Sequence, residues 1–265
     1  MMFLTCHYFS FTLHRNTEIN VVIPTPEGNE QITAAGKDVR YDYENGLPVV
    51  YLLHGAFGDN SSWMRYSSIE RYLQSHNMIG VMAGVENSFY QDMVHGGKYY
   101  TFMTEELPAY ITRLFPASKK REDTYIAGLS MGGYGAWYLA LSRPDLYSKA
   151  ASMSGALDIE KIFSGHVNRK DDAFRWKDMF GDLKSLEGTD SDLFTLYEKD
   201  RKKGCVPELY QSCGDKDFLF QMNRSAHERM TKLGADITYS EVPGYEHTWD
   251  FWDKDIKNVL DWLVK

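Results

Sequence analysis

The 265-residue sequence predicts a single α/β domain over residues 1–265, a mostly parallel central sheet with helices on both faces. Three observations carry this. From Leu47 onward, short apolar runs alternate with amphipathic stretches, the pattern of strands joined by crossover helices. A chain of this length can enclose one large core, and α/β domains of this size are usual. Third, Gly128-Leu129-Ser130-Met131-Gly132 stands between an apolar run and a helical stretch, so a glycine-flanked serine occupies a strand-to-helix turn.

The elements follow in order. Phe3 to Thr12 and Glu18 to Ile23 read as antiparallel strands, and Pro24 to Gly46 as a polar loop rich in Gly, Pro, Asn and Asp. Leu47 to Leu53 is a strongly apolar strand ending at His54-Gly55, and Ile79 to Gly84 is the next. Asp123 to Ala127 reads as a buried strand and Gly133 to Ser142 as a helix. Residues 165–204 carry many charges and little strand signal, and form a small insertion between the sixth and seventh strands. Within it, Phe174 to Phe180 and Ser191 to Tyr197 are short amphipathic segments. The insertion reads equally well as a lid or as a solvated segment on the domain edge. Pro207 to Cys213 is a strand, Phe218 to Leu233 an amphipathic helix, and Asp236 to Val242 the last strand. An aromatic-rich helix closes the chain.

The serine turn has a chemical reading. In a nucleophile elbow, the turn forces the serine backbone into a strained conformation and its hydroxyl stands clear of the sheet. Glycines nearby remove Cβ atoms that would collide. Such a serine needs a base, and the base an orienting acid, in the chain order Ser, acid, His. The C-terminal half supplies both just after strands, where open α/β sheets place their chemistry. Gly214 to Asp217 is a turn after one strand, and Pro243-Gly-Tyr-Glu-His247 a loop after the next. Ser130, Asp217 and His247 are therefore the candidate nucleophile, acid and base. Asp215 is the rival acid, although the first aspartate of such a turn often caps the turn itself. His7, His14, His76, His166 and His227 read as surface or structural histidines. His95 lies in a loop that reads as a possible border of the site, but it precedes the serine.

An oxyanion hole needs two backbone N–H donors. Met131, after the serine, supplies one; the His54-Gly55 turn supplies the other from Ala56 or Phe57, and the sequence does not choose between them. Gly55, Trp63, Phe89, Tyr90 and Trp249 lie in or beside strand-end loops and are candidate walls of a substrate pocket.

His54 to Gly58, Gly128 to Gly133, Cys213 to Leu219 and Pro243 to Trp252 together resemble the tributyrin esterase group of α/β-hydrolases. That group is related to esterase D (S-formylglutathione hydrolase) and to acetylxylan and feruloyl esterases. Glu105-Glu-Leu-Pro108 with Phe115-Pro116 is also similar, so the resemblance spans about residues 1 to 263. It implies the α/β-hydrolase fold and puts nucleophile, acid and base on Ser130, Asp217 and His247. It also implies hydrolysis of short-chain acyl esters, acetyl to butyryl, without metal or organic cofactor. Acetylated or feruloylated carbohydrate is one candidate substrate. A thioesterase of the S-formylglutathione hydrolase type is the alternative, although no clear basic cleft for a glutathione tail is legible. A noncatalytic hydrolase-fold binding protein is a third reading, disfavoured because all three triad positions are filled.

Composition narrows the partners. A net charge of −8 disfavours nucleic acid and anionic membranes, and no apolar run approaches the roughly 20 residues of a membrane span. The first eleven residues lack a basic leader and read as an edge strand rather than a signal peptide. Cys6, Cys205 and Cys213 cannot all pair and show no metal-binding spacing, so reduced thiols in a cytoplasmic protein are expected. The expected partner is a small-molecule ester, with homo-oligomerisation open.

Overall fold

The computed structural model describes residues 1–26, 28, 41, 43–166 and 174–265. Most of the Pro24 to Gly46 loop therefore lies outside the described residues, as does 167–173 of the insertion.

Among the described residues, eight strands form one sheet in the order β1-β2-β4-β3-β5-β6-β7-β8. β1 (Met2–Ser10) and β2 (Arg15–Ile23) make an antiparallel hairpin, and β2 runs antiparallel to β4 (Ile79–Ala83). All remaining pairings, through β3 (Val49–Leu53), β5 (Thr124–Leu129), β6 (Lys149–Met153), β7 (Glu208–Gly214) and β8 (Ile237–Val242), are parallel. β3 and β5 are buried along their whole length, which is why Val49 to Leu53 reads as an unbroken apolar run. β1 alternates between exposed and half-buried positions, as an edge strand covered on one face does. On the covered face Tyr8 stacks on Tyr110 at 4.4 Å.

Helices cover both faces. On one side lie α1 (Ser62–Tyr66), α2 (Ile69–Ser75) and the terminal α9 (Trp249–Leu263), which bury Trp63, Ile69, Phe251 and Leu260 against the sheet. On the other lie α3 (Leu107–Leu114) and α4 (Met131–Ser142), with α5 (Ile159–His166) following β6. α4 is buried from Met131 to Leu141, because α7 (Leu193–Lys203) of the insertion packs on its outer side. The insertion also holds the short α6 (Trp176–Phe180), and α8 (Phe220–Lys232) links β7 to β8.

Side chains fasten the insertion to the body. The Tyr134 hydroxyl donates to Ser191 O at 2.7 Å, and Asp192 caps α7 by accepting from Phe194 N at 3.1 Å. The chain ends of β3, β5, β7 and β8 thus meet at one edge of the sheet, with the insertion beside them. Among the described residues no helix is long and apolar enough to cross a membrane.

Candidate active site

Ser130 sits between β5 and α4 with φ +54° and ψ −120°, a conformation a non-glycine residue holds only under constraint. The constraint is local. Ser130 N donates to Met153 O at 3.0 Å, and Ser130 O accepts from Gly133 N at 3.0 Å and Ala156 N at 3.1 Å. The turn is tight enough that a Cβ on Gly128 would lie 2.2 Å from Gly132 O. A Cβ on Gly132 would lie 2.6 Å from the carbonyl oxygens of Leu53 and His54. Gly-x-Ser-x-Gly is therefore required by backbone against backbone.

The loops after β7 and β8 converge on this serine. His247 Nε2 lies 2.9 Å from Ser130 Oγ, and His247 Nδ1 lies 2.8 Å from Asp217 Oδ2. The remaining Asp217 oxygen accepts from Leu219 N at 2.7 Å. Burial alone would raise the Asp217 pKa; the bonds from His247 and the Leu219 amide outweigh it, so the carboxyl is held below its ordinary range. The His247 ring is braced by Phe218 at 4.5 Å and by Trp252, edge-on, at 4.9 Å. Asp215 does something else: its Oδ1 accepts from Gly244 N at 2.7 Å and so fixes the start of the histidine loop. Of the other histidines, His76 contacts Asp261 at 2.8 Å and His227 stacks on Tyr239 at 4.0 Å.

The two Phe57/Ala56 alternatives differ in the structure. Phe57 N donates to Asn87 Oδ1 at 2.7 Å, while among the described residues the Ala56 and Met131 amides have no such acceptor. His54 anchors the loop from below. Its Nε2 accepts from Val85 N at 3.0 Å, so Nδ1 carries the proton and donates to Gly55 O at 2.7 Å. Burial lowers the His54 pKa, which keeps this ring neutral.

A cavity of about 730 Å³ opens over Ser130. Phe89, Ile162, Phe174 and Met222 line it with apolar surface, and Asp59, Ser61 and Arg65 bring polar groups from the turn before α1 and from α1 itself. Gly55, Phe89 and Trp249 line it as expected. Trp63 and Tyr90 do not: both are fully buried behind the wall. Their polar tips explain the placement. Trp63 Nε1 donates to Leu53 O at 3.1 Å and the Tyr90 hydroxyl to His54 O at 2.9 Å, so they pin the root of the loop that carries Ala56. An indole or phenol buried this deeply needs such a partner. Asn87 and Trp252, which contact the site directly, were not singled out for these contacts by the sequence; the cue was only their position in or beside strand-end loops.

Parallel topology, strained serine turn and converging loops define the α/β-hydrolase fold. Comparison with known proteins agrees. The chain is 30% identical to a fluorophosphonate-binding serine hydrolase of Staphylococcus aureus, with a TM-score of 0.87 over 100% of this chain and 98% of that one. It is also 30% identical to the S-formylglutathione hydrolase of Staphylococcus aureus, with a TM-score of 0.83 over 100% and 99% of the two chains. An acetyl esterase of Caldicellulosiruptor saccharolyticus is 35% identical over 100% of this chain and 99% of that protein. Residues 38–263 match the family model described as "Putative esterase", and the chain belongs to this esterase family. It is thus a carboxylic ester hydrolase.

Proposed function

We propose that the chain is a serine carboxylesterase that cleaves short acyl esters, acetyl to butyryl, through an acyl-enzyme on Ser130. The observation that carries this is the unbroken line Asp217–His247–Ser130, at 2.8 and 2.9 Å, beneath the cavity. His247 takes the hydroxyl proton as Ser130 attacks the carbonyl carbon. Asp217 holds the ring with Nδ1 protonated and offsets the imidazolium charge. The Ala56 and Met131 amides bind the oxyanion, each contributing roughly 3 kcal/mol to the transition state. His247 then returns the proton to the leaving alcohol, and water repeats the sequence on the acyl-enzyme.

Short acyl groups suit the walls. Phe89 is interlocked with Tyr134, Phe174 and Trp176 at centroid distances of 5.8, 5.5 and 5.1 Å, so this side cannot yield readily to a long chain. Phe174 also meets Phe57 at 5.5 Å, which supports reading the described part of the insertion around Phe174 as a cover over the cavity. The similar acetyl esterase points to acetyl as the acyl group. Nothing in the mechanism calls for a metal or organic cofactor. The composition supports a cytoplasmic protein that works on small molecules, alone or as a homo-oligomer.

One observation favours a second reading, a thioesterase for an anionic leaving group. Arg65 lines the cavity and meets the nearby Asp59 carboxylate without a close ion pair, whereas Lys161 on the same cavity is paired with Asp158 at 3.0 Å. Specificity constants for nitrophenyl esters from acetate to palmitate, with S-formylglutathione alongside, test both. A maximum at acetate to butyrate supports the esterase. A maximum at decanoate or longer overturns it, and a dominant rate on the thioester selects the second reading.

A further inference from the structure

Trp252 closes the Pro243 to Trp252 run, and the chemistry above leaves it without a part. Its indole Nε1 donates to Ser154 Oγ at 3.1 Å in a fully buried bond, while its ring meets His247 edge-on with the planes at 90°. An indole N–H can only donate, so the Ser154 oxygen is the acceptor and the hydroxyl proton is turned elsewhere. Ser154 is wholly buried at the end of β6, with φ +49° and its amide tied to Ser212 O at 2.8 Å. A strained, buried serine is costly to keep unless it makes a specific contact. Its hydroxyl lies within electrostatic reach of the Asp217 carboxylate and the Cys213 thiol, without a close hydrogen bond to either. The ionised carboxylate is the stronger acceptor. Burial pushes the Cys213 pKa far up and keeps that thiol protonated.

We propose that Trp252 and Ser154 are a positioning pair behind the acid and base: Trp252 aims the Ser154 hydroxyl at the Asp217 carboxylate and at the same time braces the His247 ring. This rests on reading Ser130, His247 and Asp217 as the catalytic machinery. Neither member touches the reacting atoms. The pair gives the carboxylate a further donor besides His247 and the Leu219 amide, so that Nδ1 meets one oxygen in one orientation. Withdrawing the hydroxyl leaves more negative charge on Asp217. That charge favours imidazolium, so the acidic limb of the rate profile moves to higher pH.

Trp252→Phe keeps a ring and loses the donor. Ser154→Gly fits the positive φ and loses the hydroxyl, which separates hydroxyl chemistry from backbone strain. Each variant is assayed on nitrophenyl acetate for kcat, KM and the pH profile of kcat/KM, together with the double variant and with Ser130→Ala as reference. Each single variant is expected to lose about tenfold or more in kcat. KM should stay within about twofold, and the acidic limb should shift upward by about half a unit. The double variant should be no slower than Ser154→Gly, because both changes break one relay. Wild-type kcat with an unmoved limb in Ser154→Gly, or fully additive losses in the double variant, overturns the pairing. Activity retained in Ser130→Ala instead overturns the underlying assignment. Should Ser154→Gly fail to fold, Trp252→Phe alone decides by its limb and its kcat.

Discussion

Asn87 holds the Phe57 amide through its side-chain oxygen at 2.7 Å, and so, in the proposed mechanism, leaves the Ala56 amide rather than the Phe57 amide to meet the oxyanion. Phe57 has φ +62°, and this bond is part of what keeps the loop in that shape. Ala56 and Met131 are left facing the cavity. Asn87→Ala is expected to lower kcat by about tenfold with little change in KM, because the hole loses order rather than a donor. Asn87→Asp should be slower still, since a carboxylate beside a forming oxyanion opposes its charge. Steady-state kinetics on nitrophenyl acetate check both; an Asp variant faster than the Ala variant would contradict this arrangement.

The two aspartates of the turn after β7 should separate cleanly. Asp217→Asn replaces the acceptor of the His247 Nδ1 proton and favours the wrong tautomer, at a cost of about ten-thousandfold in kcat. Asp215→Asn keeps an oxygen for the Gly244 amide and should stay within about threefold of the wild-type rate. Reversed phenotypes would mean that the acid is misassigned.

These assignments also show what the sequence could carry. The candidate serine, acid and base stand out in the sequence because each follows a strand in the order that the fold requires; the elbow and the resemblance both point to Ser130, Asp217 and His247, which the structure brings within hydrogen-bond distance. Of the parallel strands, β3, β4 and β5 are legible as apolar runs, with ends correct to within a few residues, whereas β6 is not. The sequence reads β1 as Phe3 to Thr12, and it occurs at Met2–Ser10. Trp63 and Tyr90 lie behind the cavity wall rather than in it for a physical reason. A large aromatic beside a strand-end loop can face the cavity or brace the loop from behind, and only the partner of its N–H or O–H decides. The choice between Ala56 and Phe57 is likewise not legible in the sequence, because the Asn87 side chain that engages the Phe57 amide lies thirty residues further along the chain. Ser154 was invisible because β6 is only five residues long and its Lys-Ala-Ala-Ser-Met carries a weak apolar signal.

The elbow glycines set a stability threshold. In Gly132→Ala the new methyl meets two backbone carbonyls at 2.6 Å, and neither can rotate away. We expect a loss of about 2 kcal/mol or more in unfolding free energy, with activity lost in whatever remains folded. Denaturant titration measures it; an unchanged midpoint would show that the turn is looser than described.

Two buried carboxyls should pull stability in opposite directions with pH. The folded-state pKa of Asp217 is lowered, so its contribution is present above the ordinary carboxylate pKa of about 3.9 and is lost as pH falls through the folded value. Asp255 is raised, first by burial and despite bonds from Ser212 and Asn258; its ionisation opposes folding, and stability is recovered as pH falls. The unfolding free energy of wild type minus that of Asp217→Asn should therefore shrink on acidification. The corresponding difference for Asp255→Asn should grow. Urea titrations between about pH 3 and 7 give both slopes; slopes of the same sign would contradict the assigned shifts.

The central claim is that Ser130 is the nucleophile. The most direct measurement is peptide mass analysis of the wild-type protein after reaction with a fluorophosphonate, with Ser130→Ala treated in parallel. The account predicts a single phosphonyl adduct on the peptide containing Ser130, none on the Ala variant, and a loss of hydrolysis in that folded variant on the order of a millionfold. An adduct on another residue, or a Ser130→Ala protein that still labels and still turns over ester, would contradict it.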